Sequence, residues 1–386
     1  MKTKHINAIF LIFILALPFS WANIGPMSIY RLVTMVLFSI WILEERFKLP
    51  IPNDERKKYF LSWIAYAGYA VFATILNPSN LNILFGMILL IMISMVFFAS
   101  KVDSNLEKYI DYMWLAAAIF FILLFIFGSR GQVGEWGTRE TLIILGTSTD
   151  ANEFSSFFVV ALPIALFHIM NDESIVKKCI CTAVLFSGIY VVLMGGSRAA
   201  LLAVSVALII TACTVQRPSI KAIFFVLIIC LLLLFIVPRY ILPMIPQETL
   251  ARLSIDALQQ DNGSGRGEIW KSGLNTFMNG NIFNFIFGYG YGKLEVLSPI
   301  GLTSTMHNQY IQQLVSYGLI GFLLYICMTI LAYKQLKKNY RRYVGAYFGI
   351  MLMSMTLTMG PSYKILWILL FQAGLMSKGG NIYEKY

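Results

Sequence analysis

Charge is scarce in this sequence. Of its 386 residues only 13% are Asp, Glu, Lys or Arg, about half the usual share of a soluble domain. Two soluble domains of this combined length need far more polar surface than 30 Lys/Arg and 19 Asp/Glu supply, which excludes them. Histidine is scarcer still, with three in the chain (His5, His168 and His307), no His-x-x-x-His pair and no Glu-bearing zinc motif. The five cysteines (Cys179, Cys181, Cys213, Cys230 and Cys327) lie in or beside apolar stretches. They form neither a disulfide framework nor an iron–sulfur spacing and read as structural thiols. There is no Gly-x-x-x-x-Gly-Lys-Ser/Thr phosphate loop and no paired-Asp motif at an outward helix start. Neither a metal nor a cofactor is expected. Acidic residues are outnumbered, giving a formal charge of +11. The cations fall in short clusters, Arg46 to Lys58 and Lys334 to Arg342, with no basic stripe among exposed aromatics, so the excess reads as membrane topology and not as nucleic-acid binding.

What is present in abundance is apolar: 58% of the residues are hydrophobic. A helix needs roughly 20 residues to cross a bilayer core, because every backbone amide must be satisfied internally. On that criterion twelve spans are expected, at 6–20, 27–43, 59–76, 81–99, 109–128, 151–169, 179–195, 199–215, 221–237, 309–332, 343–359 and 361–376. The first carries Lys2 and Lys4 before its apolar run, like a signal peptide, but eleven further candidates favour an uncleaved span. Placing Arg46, Lys48, Arg56, Lys101, Lys177, Lys178, Arg217, Lys337, Lys338, Arg341 and Arg342 inside makes both termini cytoplasmic. The expectation is a single all-α integral membrane domain over 1–386, with an extracytoplasmic subdomain at 238–308 between the ninth and tenth spans. Within that loop, 247–260 and 265–279 are expected as short helices. The second carries Ile269, Trp270, Leu274, Phe277 and Met278 on an apolar side suited to a membrane surface.

A positive charge beside a membrane helix needs water, an anion or a partner. The outward side collects Arg31, Arg130, Arg139, Arg198, Arg239, Arg252 and Arg266. Arg198 follows Gly195-Gly196-Ser197 between two apolar runs. A tight turn there presents a planar donor fork suited to a diphosphate, or else the side chain snorkels to the interface and caps a hairpin. Asp150, Asn152 and Glu153 suit a helix N-terminus, with a polar site as the additional reading. His307, in Thr305-Met306-His307-Asn308-Gln309-Tyr310, stands where the long loop returns to a helix. It is either an interface residue or a base able to take a proton from a sugar hydroxyl. Gly288-Tyr289-Gly290-Tyr291-Gly292 follows no Rossmann strand, which makes a nucleotide reading weak.

Four strings in order resemble the O-antigen ligase and Wzy polymerase superfamily of bacterial surface-polysaccharide enzymes. They are Gly195-Gly196-Ser197-Arg198-Ala199-Ala200-Leu201-Leu202, Ser264-Gly265-Arg266-Gly267-Glu268-Ile269-Trp270, Ile286 to Gly292, and His307-Asn308-Gln309-Tyr310-Ile311 with Tyr317-Gly318-Leu319-Ile320-Gly321. They cover about 190–330; Asp150-Ala151-Asn152-Glu153 resembles a further Asp-Pro-Asn element with alanine in place of proline. The resemblance implies a GT-C-like fold and a metal-independent, inverting glycosyl transfer from an undecaprenyl-diphosphate-linked glycan at the outer face of the bacterial cytoplasmic membrane. It implies that Arg198 and Arg266 bind the diphosphate and that His307 orients or deprotonates the acceptor hydroxyl. Arg31, Arg130, Arg139, Arg239 and Arg252 are reserve anion contacts, with Glu268, Asn308, Asp150 and Asn152 as further substrate-side candidates. Polymerisation of repeat units is the favoured reaction. Ligation to lipid A-core or another terminal acceptor is the alternative, and a lipid-linked glycan flippase the third. The donor, the acceptor glycan and membrane lipids are the expected partners, with a flippase and a chain-length regulator as further candidates.

Overall fold

The computed structural model describes residues 11–20, 22–24, 27–45, 51–52, 54–76, 81–99, 101–102, 104–133, 139–144, 146–172, 174–214, 239, 243, 247, 265–291, 294–298, 301–303, 305–361 and 363–377. Its helices are α1 (Ile29–Glu45), α2 (Arg56–Leu76), α3 (Leu81–Ala99), α4 (Ser104–Phe127), α5 (Ala151–Asn171), α6 (Ile175–Met194) and α7 (Arg198–Thr214). After them come α8 (Arg266–Met278), α9 (Ile282–Phe287), α10 (Gln309–Asn339), α11 (Val344–Met353) and α12 (Lys364–Gln372). Short strands interrupt this order. The antiparallel set β1 (Ser129–Val133), β2 (Arg139–Ile144) and β3 (Thr147–Ser148) leads into α5, and the hairpin β4 (Val296–Ser298) with β5 (Gly301–Thr303) precedes α10.

Five helices among the described residues are long and apolar enough to cross a membrane: Arg56–Leu76, Tyr109–Phe127, Ala151–Asn171, Ile175–Met194 and Gln309–Asn339. This corrects the all-α, GT-C-like expectation of twelve spans to a mostly helical protein with five qualifying helices. The physical reason is clearest at the C-terminal end. The apolar runs 343–359 and 361–376 fold into helices of 10 and 9 residues, about 15 Å long against a hydrocarbon core of about 30 Å. Hydropathy measured how apolar those runs are, whereas the turn at 354–357 and Pro361 decided how they are used. The apolar helices α1 and α7 have 17 residues each. In the candidate at 6–20, helix gives way to a short 3-10 turn, Leu17–Phe19. The candidate at 221–237 lies outside the described residues, as do 248–264 with the helix expected there.

At the centre stands α5, buried along nearly its whole length and packed by α4, α6, α7 and α11. Its first residue follows the N-cap Asp150 and its last precedes Asp172, so it carries two polar ends about 32 Å apart. At the Asp172 end a charged cluster is sealed in the interior. Fully buried Asp111 of α4 accepts from Arg342 Nε at 2.9 and 2.7 Å and from the Tyr343 hydroxyl at 2.5 Å, while His168 Nε2 lies 3.2 Å away. The other imidazole nitrogen of His168 is 3.1 Å from Asp172. The cluster ties α4, α5 and the turn between α10 and α11 into one unit.

The two glycine strings meet. Gly318, at φ 64°, breaks α10, which frees the carbonyls of Val315 and Ser316 from helical bonding. The amides of Tyr289 and Gly290 donate to them at 3.0 and 2.9 Å. Gly288, at φ 83°, lies so close that a Cβ there would sit 2.4 Å from the Ser316 oxygen, and a Cβ at Gly318 would sit 2.4 Å from the Ile286 oxygen. These glycines permit two backbones to touch.

Candidate functional site

The polar end of α5 opposite the Asp111 cluster gathers residues from five places in the chain. Asp150 has the extended backbone of an N-cap, and its Oδ1 accepts from the amides of Asn152 at 2.7 Å and Glu153 at 3.1 Å, an arrangement that satisfies two otherwise orphaned donors. Asn152 faces the next hairpin, where Ser197 Oγ donates to its Oδ1 at 2.9 Å. The glycine pair before Ser197 makes this approach possible. A Cβ at Gly195 would lie 2.9 Å from Ser155 Oγ, and Gly196 adopts φ 56°. Arg198, half-buried, is thereby held at the first position of α7, over the start of α5.

Arg266 opens α8 directly after left-handed Gly265. The face of α8 formed by Ile269, Gly273 and Phe277 is buried, with Gly273 against Met306 and Ile311, while Leu274 and Met278 are exposed. Three-and-four-residue spacing therefore marked an inward face for part of the set expected at a membrane surface.

His307 has φ 46°, the sole positive value outside glycine among the described residues, a conformation costing about 1–2 kcal/mol for an ordinary side chain. Its turn is fixed on both sides. The Met306 amide donates to Gln312 Oε1 at 2.9 Å, and Asn308 caps α10 by accepting from the Tyr310 and Ile311 amides at 2.9 and 3.1 Å. The imidazole Nε2 lies 3.4 Å from Thr305 Oγ1. Burial and the positive charge of Arg266 push the His307 pKa below the ordinary histidine value, with Asp150 pulling weakly the other way. His307 thus remains a neutral base at neutral pH, and its surroundings link Arg266, Asp150 and His307 in one electrostatic neighbourhood.

Next to these groups lies a cavity of about 500 Å³, bordered by Ala199, Leu202, Trp270, Asn308, Tyr310 and Met355. Ala199 and Asn308, which border this largely apolar space, adjoin Arg198 and His307 in the chain. The Trp270 indole nitrogen is buried without a hydrogen-bond partner.

Of the other sequence candidates, Arg31, half-buried in α1, packs over the Phe85 ring at 5.7 Å and shares with Glu153 the surroundings of Lys364. Arg130 is on β1, paired with Glu140 at 2.9 Å and placed over Phe125 at 5.6 Å. Arg139 begins β2, and its side chain lies outside the described residues, as does Arg252 altogether; Arg239 is exposed. Glu268 is exposed on the first turn of α8. Among the described residues no group of three or more His, Cys, Asp or Glu side chains is placed to hold a metal ion.

Sequence reasoning missed Lys364, the first residue of α12. It is 6% exposed, and its Nζ donates to the Pro361 carbonyl at 2.7 Å. Glu153 and Arg31 are its charged neighbours. A lysine opening the otherwise uncharged run Lys-Ile-Leu-Trp-Ile-Leu-Leu-Phe-Gln was the available signal, hidden because the run was read as a membrane span.

Residues 183–326 match the Wzy_C family model, described as O-antigen ligase. The matched stretch runs from within α6 through Arg198, Arg266 and His307 into α10. No curated protein matches the chain. The match covers 144 of the 386 residues; with several long apolar helices it is consistent with a multi-pass membrane protein and supports a role in O-antigen or related glycan processing at the membrane.

Proposed function

We propose that the protein is a glycan ligase. It transfers a glycan from an undecaprenyl-diphosphate carrier to lipid A-core or another terminal acceptor, at the outer face of the bacterial cytoplasmic membrane and without a metal ion. The matched family's description supports ligation over the polymerisation that the sequence alone favoured. The carrying observation is the neighbourhood of His307, Arg266 and Asp150 beside the cavity that Ala199 and Asn308 border.

In this reading the Arg198 and Arg266 guanidinium groups bind the donor diphosphate, each offering a planar fork of N–H donors. The apolar cavity receives the isoprenoid units nearest the diphosphate, and Trp270 offers its free indole N–H at that boundary. Neutral His307 accepts the proton of the acceptor hydroxyl as its oxygen forms a bond to the anomeric carbon. The bond from that carbon to the diphosphate oxygen breaks, and the electron pair leaves on undecaprenyl diphosphate, where the two arginines stabilise it. A single displacement of this kind inverts the anomeric centre. Asn152 and Asn308 act through the turns they hold, Ser197 for one and the start of α10 for the other. A flippase supplies the donor.

The test is mass spectrometry of products from purified protein in lipid, given a defined undecaprenyl-diphosphate-linked glycan with or without lipid A-core, in chelator and without nucleotide. The expected result is the glycan joined to the acceptor, release of undecaprenyl diphosphate, and loss of both in Arg198→Ala at unchanged abundance. Ladders rising by whole repeats without the acceptor establish polymerisation instead. Full activity in a stable Arg198→Ala removes that residue from the site.

A further inference from the structure

The left-handed turn at His307 is held by a side chain from inside α10. Met306, directly before it, is fully buried, and its amide lies ahead of the N-cap Asn308, outside the helical ladder. A buried amide there needs an acceptor. Gln312, 1% exposed, supplies it: its Oε1 accepts from the Met306 amide at 2.9 Å, and its Nε2 donates to Ser316 Oγ, one turn further on, at 2.9 Å. Both ends of a buried glutamine are thus engaged in fixing one turn. The imidazole itself meets Thr305 Oγ1 at 3.4 Å, near the limit of a hydrogen bond, so the backbone beneath it sets where the ring stands.

Ser316 carries the connection on. Its carbonyl, freed by the break at Gly318, accepts from the Gly290 amide at 2.9 Å, and the Val315 carbonyl accepts from the Tyr289 amide at 3.0 Å. The Tyr289 hydroxyl donates to the Thr276 carbonyl of α8 at 3.2 Å. That helix also packs on the turn directly, since a Cβ at Gly273 would lie 2.8 Å from Met306 Sδ. Because α8 opens with Arg266, a bonded path through Gln312, Ser316 and the 288–290 loop joins the residue before His307 to the helix that carries Arg266.

We propose that Gln312 is a positioning residue for the transfer reaction, which fixes His307 in its left-handed turn and, through Ser316 and the 288–290 loop, keeps that turn in register with Arg266. This rests on the ligase reading above, in which His307 takes the acceptor proton while Arg266 binds the diphosphate. Attacking and leaving oxygens lie on opposite sides of the anomeric carbon, so base and guanidinium must keep their spacing through the displacement. Without the Met306 bond the turn relaxes toward commoner backbone conformations, and the imidazole moves while both arginines stay. The loss then falls on turnover and not on donor binding.

The experiment uses the full chain in lipid nanodiscs, labelled with 15N-histidine. With three histidines in the chain, the His307 signal is the one missing from His307→Gln. Transfer from a defined undecaprenyl-diphosphate-linked glycan to lipid A-core is measured alongside. In Gln312→Met the His307 imidazole signal is expected to shift or split, and kcat to fall about 100-fold with the donor KM changed less than about twofold. Gln312→Glu accepts from the Met306 amide in either protonation state, and the Ser316 hydroxyl can turn to suit it, so signal and most of the rate return. Ser316→Ala, a smaller change, gives the same pattern at lower amplitude and adds nothing to Gln312→Met. The proposal is overturned if folded Gln312→Met and Ser316→Ala keep both signal and kcat, if Gln312→Glu fails to restore them, or if KM rises at constant kcat; each of these leaves the ligase reading intact. A folded wild type that gives no transfer overturns the ligase reading, and this role with it.

Discussion

Replacing Asp111 by alanine tests the fold at the end of α5 remote from the transfer site. The carboxylate is fully buried and receives Arg342 Nε, the Tyr343 hydroxyl and a His168 nitrogen at distances from 2.5 to 3.2 Å. Removing it takes from the Arg342 guanidinium, 4% exposed and set against the rings of Tyr340 and Tyr343, its carboxylate partner in this cluster. Summing the lost hydrogen bonds overstates the effect, since each also replaced a bond to water. The governing quantity is the loss of one partner of a buried ion pair, about 3–5 kcal/mol, or roughly two to three and a half orders of magnitude in the folding equilibrium. The unfolding equilibrium in bicelles, followed by tryptophan fluorescence, measures it directly. Asp111→Leu combined with Arg342→Met removes both charges and is expected to recover most of the loss. Folded Asp111→Ala retains donor binding, because α5 separates the cluster from Asp150 by about 32 Å. A loss under about 1 kcal/mol, or no recovery in the double variant, refutes the assignment of this cluster as the clamp on α4, α5 and the α10–α11 turn.

The pH dependence of transfer follows from His307. Its pKa is lowered by burial and by Arg266, so the neutral base persists to pH values below the ordinary histidine range and activity falls only as pH drops through the lowered value. In Arg266→Gln the acid limb of kcat/KM is expected to move to higher pH; a limb that stays in place separates His307 from Arg266. Gly288→Ala puts a Cβ 2.4 Å from the Ser316 oxygen at φ 83°. The expected cost is about 2–5 kcal/mol from the left-handed backbone and overpacking together, read from the same unfolding equilibrium, and a change under about 1 kcal/mol shows that the two backbones are not in contact.

Local chemistry was legible in the linear order of residues. The strings Asp150-Ala151-Asn152-Glu153 and His307-Asn308-Gln309-Tyr310 mark helix starts because a capping side chain reaches amides two or three residues away. Arg198, Arg266 and His307 stood out because charge and imidazole are rare in so apolar a chain. The count of spans was not legible. Mean hydropathy reports whether a segment tolerates burial, and protein interior and bilayer score alike; α11 and α12 are apolar because they pack inside the protein.

Composition and contacts within a single turn are enough to make this chain a helical membrane protein and to mark where its capped helices begin, because both are properties of neighbouring residues. Which polar residues meet is a matter of tertiary packing. Asp111 finds Arg342 across 231 residues, Gly288 finds Gly318, and Lys364 comes under the field of Glu153 and Arg31. Such pairings depend on how buried faces stack and on which backbones a glycine allows to touch, and a linear pattern holds no record of either.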